Sequence, residues 1–305
     1  MLTSGLNPDV VKSGLDKLFY KEWDAPQLPQ IADANDKDVF FQMGSSQASE
    51  TIEEFKGSGE WEERAELADP SEGQPMAKYS QTLSNKTLSK GITIAKRLFD
   101  DDQNGMVSKM VMDFSRKGRA SRDKDAMSLY RGAFTTTGGD SQYLIDTDHP
   151  TDAGTMSNKV SGALSESTLN DALVALMEQQ GRDGVVMGDL ASVLFVPAKL
   201  FKTAVEITES KVKVGANNAT MNFYSDKFGI VVKTSPYLGA TAGGSDTAWF
   251  LLSKNHSMLR YEREAINTNM IDWKQNKNRS YYYNGELRQT VGQADPFGIV
   301  GSLGT

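Results

Sequence analysis

Residues Asp100 to Phe134 read DDDQNGMVSKMVMDFSRKGRASRDKDAMSLYRGAF, a proline-free run of good helix formers. Met106, Val107, Met110, Val111 and Phe114 recur at spacings of three and four, which places them on one stripe of a helix. Asp100, Asp101 and Asp102 open the run, where carboxylates favour the positive end of a helix dipole. Arg116, Lys117, Arg119, Arg122 and Lys124 crowd its later turns. The spacing predicts a long helix over 100–134. On its own it is an ordinary core helix with a solvated basic face. Its surroundings, a polar ribbon before it and an α/β segment after it, suggest a beam around which the chain is organised.

Upstream, Val10, Val11, Leu15, Leu18 and Phe19 predict a short amphipathic helix, and Pro26, Pro29 and the polar run Asp33 to Asp38 read as an extended arm with little to pack on. Phe55 to Leu67 and Tyr79 to Ile94 read as two extended runs joined by the turn-rich Asp69 to Pro75. Over the whole ribbon, Thr51 to Ala95 with its flank, one side is acidic (Glu53, Glu54, Glu60, Glu62, Glu63, Glu66) and the other more basic (Lys78, Lys86, Lys90, Lys96). So few apolar residues cannot stabilise a two-stranded ribbon in water, so it must lie on something. It either covers its own domain or covers a neighbour.

Downstream, Thr135 to Asp140 is a turn, lacking both the G-x-G-x-x-G pattern and a P-loop lysine. Asp146, Asp148 and His149 form the one cluster with the chemistry for a divalent cation or acid/base work, but no second histidine stands nearby, and a structural loop is the better reading. Leu169, Ala172, Leu173, Leu176 and Met177 predict a helix capped by Ser165 or Ser167 and stopped by Gly181. Val193 to Val196 predicts a strand running into a helix whose first turn holds Pro197, and Phe228 to Val232 and Trp249 to Leu252 predict buried strands. Met270 to Trp273, Tyr281 to Tyr283 and Glu286 to Val291 read as a meander, and Pro296 to Gly301 as a last strand.

The 305 residues, 38% hydrophobic and 24% charged, can bury a substantial core in two domains or one elaborated domain. No stretch approaches the roughly 18 apolar residues of a membrane span and Met1 to Tyr20 does not resemble a secretory signal, so the chain reads as soluble and intracellular when made, with no membrane partner. Without cysteine there are no disulfides or thiolate metal sites, and two histidines leave little for imidazole chemistry; no cofactor, metal or catalytic residue is expected. A net charge of −7, from 33 basic and 40 acidic side chains, argues against tight nonspecific binding to phosphate backbones. It does not exclude a place beside nucleic acid.

Gly184 to Ile207 (GVVMGDLASVLFVPAKLFKTAVEI), Asn217 to Leu238 (NNATMNFYSDKFGIVVKTSPYL) and Asp246 to Asn255 (DTAWFLLSKN) resemble the major capsid proteins of tailed bacteriophages, in particular the Mu-like major head subunit group. The resemblance is best from Ser161 to Asn255. It implies an α+β chain with the Hong Kong 97-like capsid fold: an N-terminal arm (1–49), an extended β-hairpin loop (50–96) and a peripheral domain (97–160 and 257–294) whose spine helix is 100–134, together with an axial domain (161–256 and 295–305). Pro197-Ala198 stands where many relatives carry a double proline.

The implied function is a structural, non-enzymatic head protein that assembles with itself into pentamers and hexamers of an icosahedral shell around double-stranded DNA. It would be a virion component put together in the bacterial host cytoplasm. A separate scaffolding protein, a portal and decoration proteins are the implied partners. An encapsulin-like nanocompartment is the alternative within the fold, and a metal-assisted hydrolase using Asp146, Asp148 and His149 the alternative outside it. None of Lys56, Lys78, Lys86 and Lys90 matches the cross-linking pattern of some relatives. The extended loop should bury Trp61, Leu67, Tyr79 and Leu83 mainly on an adjacent subunit. Arg116, Lys117, Arg119, Arg122 and Lys124 are candidates for a lumen-facing basic face that meets packaged DNA without sequence preference, although an internally salt-bridged face is the commoner outcome for such a run.

Overall fold

The computed structural model describes residues 8–73, 76–102, 104–210, 224 and 229–305. Helix α1 (Pro8–Trp23) buries Val11, Leu15, Phe19 and Trp23 at i, i+4 spacing, while Val10 faces solvent. The segment after it is not the loose arm that its prolines and aspartates predict. Ala32, Ala34, Val39 and Phe40 are buried in the core, the Ala32 amide donates to the Thr234 carbonyl, and Lys233 pairs with both Asp36 and Asp38 at 3.0 Å. The carboxylates meet a lysine from a distant strand while the small apolar residues between them thread inward, a division that composition hides. Strand β1 (Phe41–Gly44) follows.

Strands β2 (Ser49–Phe55) and β3 (Ala77–Ser84) pair antiparallel from Ser49 opposite Ser84 to Phe55 opposite Ala77. The ribbon is therefore shorter than the predicted pairing and set closer to its base, and residues 56–73 carry no strand. Residues 86–95, predicted to belong to it, form β4 (Lys86–Ala95), the edge strand of a four-stranded sheet. Ile94 explains the departure: it is fully buried with Phe99 and Tyr281, a burial that a free ribbon could not supply.

After the short helix α2 (Lys96–Asp100), the predicted beam is α3 (Met106–Ala126), with a further turn α4 (Ser128–Arg131). The helix starts late because the Asp102 carboxylate accepts from the amides of Met106 (2.7 Å) and Val107 (3.1 Å), standing outside the first turn, and Gly105 enters it at φ 64°. Val107, Val111 and Phe114 of the predicted stripe face inward, Met110 is half-buried, and Met106, at the helix start, is exposed.

The four-stranded sheet runs β1, β10 (Met258–Ile271), β11 (Ser280–Gln293), β4. Of the three pieces predicted as a meander, Tyr281 to Tyr283 and Glu286 to Val291 lie in β11 and Met270 and Ile271 end β10, while Asp272 and Trp273 fall beyond it; the two 14-residue strands pair from Met258 opposite Gln293 to Ile271 opposite Tyr282. Two register shifts between Glu262 and Asn267 break the alternation on which a strand reading depends. One buried position of β10 is also an arginine, Arg260, bonded to Asn35, Gln42, Glu262 and Gln289. Helices α1 and α3 close over this sheet, with Phe114 between Phe19 (5.8 Å) and Tyr283 (6.0 Å).

The small hairpin of β5 (His149–Thr151) and β6 (Gly154–Met156) leads to α5 (Glu166–Met177). Ser165 caps α5 as expected, accepting from the Thr168 amide while the Thr168 hydroxyl accepts from the Ser165 amide. The second sheet runs β12 (Ile299–Ser302), β9 (Trp249–Ser253), β7 (Ala191–Pro197), β8 (Val231–Ser235), only β7 and β8 being parallel. Pro197 ends β7 opposite Ser235, and α6 (Phe201–Thr208) begins one turn later than predicted. Phe228, where the strand before Ser235 was predicted to start, lies outside the described residues, as do 211–223 and 225–227.

Both faces of this sheet are covered, which is why its strands read as unbroken apolar runs. Val193, Phe195, Phe250 and Leu252 pack with Tyr130, Phe40 and Val39 on one side. Leu194, Val196, Trp249 and Leu251 pack with α5 on the other.

Candidate assembly surfaces

The ribbon is attached to its own chain through Glu54 of β2 and Arg182. The turn Gly181 to Gly184 closes through the Gly184 amide on the Gly181 carbonyl (2.9 Å), with Gly184 at φ 80°, and sends Arg182 inward until 1% of it is exposed. The guanidinium grips the Glu54 carboxylate at two points, with Nη2 to Oε2 at 3.0 Å, and donates to Asp140 (2.7 Å) and to the Pro150 carbonyl (2.8 Å). Tyr79 of β3 and Phe297 lie against the guanidinium, with ring centres 4.8 and 5.4 Å from Cζ. Asp140 also bonds Nδ1 of the fully buried His149 at 2.8 Å.

Two carboxylates thus share one guanidinium and end up different. Burial pushes Asp140 up, but its hydrogen bonds from His149 and Arg182 outweigh burial and hold it at about 2. Burial also pushes Glu54 up, and there it prevails over the pull of Arg182. Arg182 itself is held above its ordinary range, because the two carboxylates more than offset its burial.

Leu83, expected at a subunit contact, is 8% exposed because its methyls occupy the space above Gly292, where a Cβ would lie 2.2 Å from Leu83 Cδ1. Tyr79 is likewise engaged by Arg182 of its own chain. Lys56 and Lys78 both pair with Asp152, and the Gly59 amide donates to Asp183 (3.1 Å). The expectation that the ribbon lies mainly on a neighbour is therefore corrected at its base, which its own chain covers. Its tip is different: Trp61 is 98% and Leu67 95% exposed.

The basic run of α3 is also not one open face. Arg122 is buried, bonded to Asp33 (3.1 Å) and Asp123 (2.8 Å) and lying 5.2 Å from the Trp23 ring centre, because its helix position faces the junction with the segment after α1. Arg119 donates to the carbonyls of Trp23 (3.2 Å) and Ala25 (2.6 Å), satisfying the C-terminal end of α1. Arg116 pairs with Glu22 (2.5 Å) and Lys117 with Asp113 (2.7 Å). Lys124 is exposed and takes part in no ion pair among the described residues.

Asp146, Asp148 and His149 do not form a joint site. His149 is turned inward onto Asp140, Asp148 is exposed, and Asp146 accepts from the amides of Thr147 (2.8 Å) and Tyr143 (3.3 Å). Among the described residues, no group of three or more metal-ligating side chains converges and no helix is long and apolar enough to cross a membrane. Sequence reasoning missed Glu54, Asp140 and Arg182. The local signal was slight, an arginine in the Gly181-Arg182-Asp183-Gly184 turn.

A helix-covered long sheet, a second sheet buried on both faces, and a ribbon anchored at its root with an unpacked tip together make the Hong Kong 97-like capsid fold. The chain belongs to the phage capsid protein family, whose model matches residues 80–301. Over 93 residues it is 30% identical to the Mu-like prophage FluMu major head subunit of Haemophilus influenzae, a stretch that spans 30% of either chain. The solved structure of Microbacterium phage Oxtober96 superposes with a TM-score of 0.57 at 9% identity, covering 92% of this chain and 93% of that one. A virus-like particle from Pyrococcus furiosus superposes with a TM-score of 0.56 at 9% identity, covering 95% and 98%.

Proposed function

We propose that this chain is the major head subunit of a tailed phage, a structural protein without catalytic duty. It assembles with itself into pentamers and hexamers of an icosahedral shell that encloses double-stranded DNA. The observation that carries this is the family match over 80–301, joined to a ribbon whose root is fixed and whose tip exposes Trp61 and Leu67. In this reading a second copy of the chain covers Trp61 and Leu67, which its own chain leaves exposed.

In this reading residues 1–49 are the N-terminal arm, 50–96 the extended loop, 97–160 with 257–294 the peripheral domain, and 161–256 with 295–305 the axial domain. A scaffolding protein, a portal and decoration proteins complete the particle, which is assembled in the host cytoplasm. Trp61 and Leu67 make the loop's contact with the neighbour. Packaged DNA would meet Lys124 weakly and without sequence preference, since Arg119 and Arg122 are held by the protein and Arg116 and Lys117 pair with Glu22 and Asp113.

The fold's likeness to a solved encapsulin keeps an encapsulin-like compartment as the second reading. Electron microscopy of purified protein should show closed shells or ring-shaped capsomers. Nuclease-protected DNA in particles from infected or induced cells supports the head protein, and a copurifying cargo enzyme in DNA-free shells supports the compartment. A protein that stays monomeric at all concentrations and salt levels, with and without scaffold, refutes both.

A further inference from the structure

Asparagine followed by glycine occurs twice in the chain, at Asn104-Gly105 and at Asn284-Gly285. Such a pair is chemically labile wherever its backbone can move, because the amide nitrogen of a residue without Cβ can reach the preceding asparagine side chain. The fold gives the two copies opposite surroundings.

Asn284-Gly285 lies in the middle of β11, a strand paired on both sides. Asn284 stands between Asn269 and Gly91, and Gly285 between Thr268 and Lys90. Gly285 is buried, and a Cβ there would meet Ile266 Cδ1 at 3.4 Å and Phe114 Cε1 at 3.7 Å. The ladder and the helix above it hold this peptide extended. For the Gly285 nitrogen to turn toward the Asn284 side chain, the sheet must first open there.

Asn104-Gly105 lies between α2 and α3, outside any helix or strand. Asn104 is exposed, and beyond the chain neighbours no heavy atom stands within 4 Å of where a Cβ would lie on Gly105. Among the described residues, the Gly105 amide donates to no acceptor and the Asn104 side chain has no hydrogen-bond partner. Gly105 takes φ 64° and ψ 30°, a left-handed conformation that a Cβ makes costly. The turn into α3 therefore keeps glycine at the position that makes the preceding asparagine reactive.

We propose that Asn104 is a site of spontaneous covalent modification that alters the entry to α3. The Gly105 nitrogen bonds to Cγ of Asn104, and the side-chain nitrogen leaves as ammonia, taking up the proton that the Gly105 amide gives up. Water then opens the five-membered succinimide. Cleavage of the ring bond to Cγ leaves an aspartyl residue, and cleavage of the ring bond to the main-chain carbonyl carbon leaves an isoaspartyl residue. No enzyme, metal or oxidant is needed.

The two products act differently on the helix. The aspartyl form adds one negative charge to the formal −7 and places it before the first turn of α3, where the helix dipole favours it. The isoaspartyl form carries the main chain through its own Cγ and so lengthens it by one carbon. That carbon falls between Asp102 and the amides of Met106 and Val107, which the Asp102 carboxylate caps at 2.7 and 3.1 Å. Losing the cap leaves those amides without an acceptor and frays the first turn, at which Val107 enters the core.

The test is timed ageing of the full, unassembled chain at mildly alkaline pH, which speeds loss of the Gly105 proton. Peptide mass spectrometry should find a gain of about 1 Da at Asn104, arising about tenfold or more faster than at Asn284. An isoaspartate methyltransferase should label the aged chain. An Asn104→Gln variant, whose longer side chain closes the ring poorly, should stay unlabelled. The isoaspartyl fraction, separated by chromatography, should show an unfolding constant raised about fivefold, the loss of one helix cap, while Asn104→Asp should equal or exceed the fresh parent in stability. The proposal is overturned if Asn104 gains no mass, if Asn284 gains it as fast, if Asn104→Gln is labelled like the parent, or if the isoaspartyl fraction unfolds like the fresh chain.

Discussion

Glu54 and Arg182, 128 residues apart, form a two-point ion pair from which solvent is excluded, and through it the extended ribbon becomes part of the folded subunit. A buried pair of this kind adds modestly to stability while both partners are present, and costs heavily when one is removed. The consequence is directional: the ribbon's root belongs to folding and its tip to assembly.

Arg182→Ala leaves Glu54 and Asp140 buried without their cation, and should destabilise the unassembled subunit by about 3 to 5 kcal/mol. Arg182→Lys should recover only part, because an ammonium cannot span both oxygens of Glu54 and reach Asp140 and Pro150 as well. Urea denaturation followed by tryptophan fluorescence measures both. A loss under 1 kcal/mol for the alanine variant contradicts the assignment of Arg182 as the anchor.

Acid should act on the two carboxylates in sequence. The folded-state value of Asp140, about 2, lies below its ordinary 3.8, so its contribution is present above about pH 4 and is lost as the pH falls toward 2; allowing for screening it is about 1 to 2 kcal/mol. Glu54 has the opposite sign. Its value is raised in the folded state, so the native chain takes up that proton first and gains stability as the pH drops toward the ordinary glutamate value. Asp140→Asn should therefore flatten the loss of stability below about pH 4, and Glu54→Gln should leave that window unchanged. Unfolding free energies at several pH values decide.

Leu83 and Trp61 were expected to act alike and should act differently. Leu83→Ala opens a cavity above Gly292 and should cost about 2 to 3 kcal/mol in the isolated subunit. Trp61→Ala, at a side chain 98% exposed, should shift subunit stability by no more than about 0.5 kcal/mol while weakening particle formation. Replacing Ser58 to Gly73 with a short Gly-Ser link should do the same as Trp61→Ala, since it spares Tyr79 and Leu83. Calorimetry of the subunit beside particle counts by microscopy separates the two effects.

The basic run of α3 should divide in the same way. Arg122→Ala strands Asp33 and the buried Asp123, and should cost about 3 kcal/mol or more. Lys124→Ala should be neutral within about 0.5 kcal/mol. If Arg122→Ala proves as mild as Lys124→Ala in a denaturant titration, the interior placement of Arg122 is wrong.

The sequence by itself determined the kinds of element and much of their order. The stripe Val107, Val111, Phe114 marks α3, Ser165 or Ser167 marks the start of α5, and the apolar runs around Phe195 and Leu251 mark buried strands, because periodicity and capping are local properties of the chain. It misjudged β10, where an arginine takes an inward position and the register shifts, and the segment around Ala32 to Phe40, where aspartates conceal core residues. Only the tertiary structure decided which charges are free. Arg122 and Lys124 are two residues apart in one basic run, yet one is locked between aspartates and the other open to solvent. Glu54 and Arg182 lie in unremarkable stretches and become partners only when β2 is brought against the turn after α5. Such pairing depends on the approach of distant segments and on the exclusion of water between them, and no local pattern of residues encodes either.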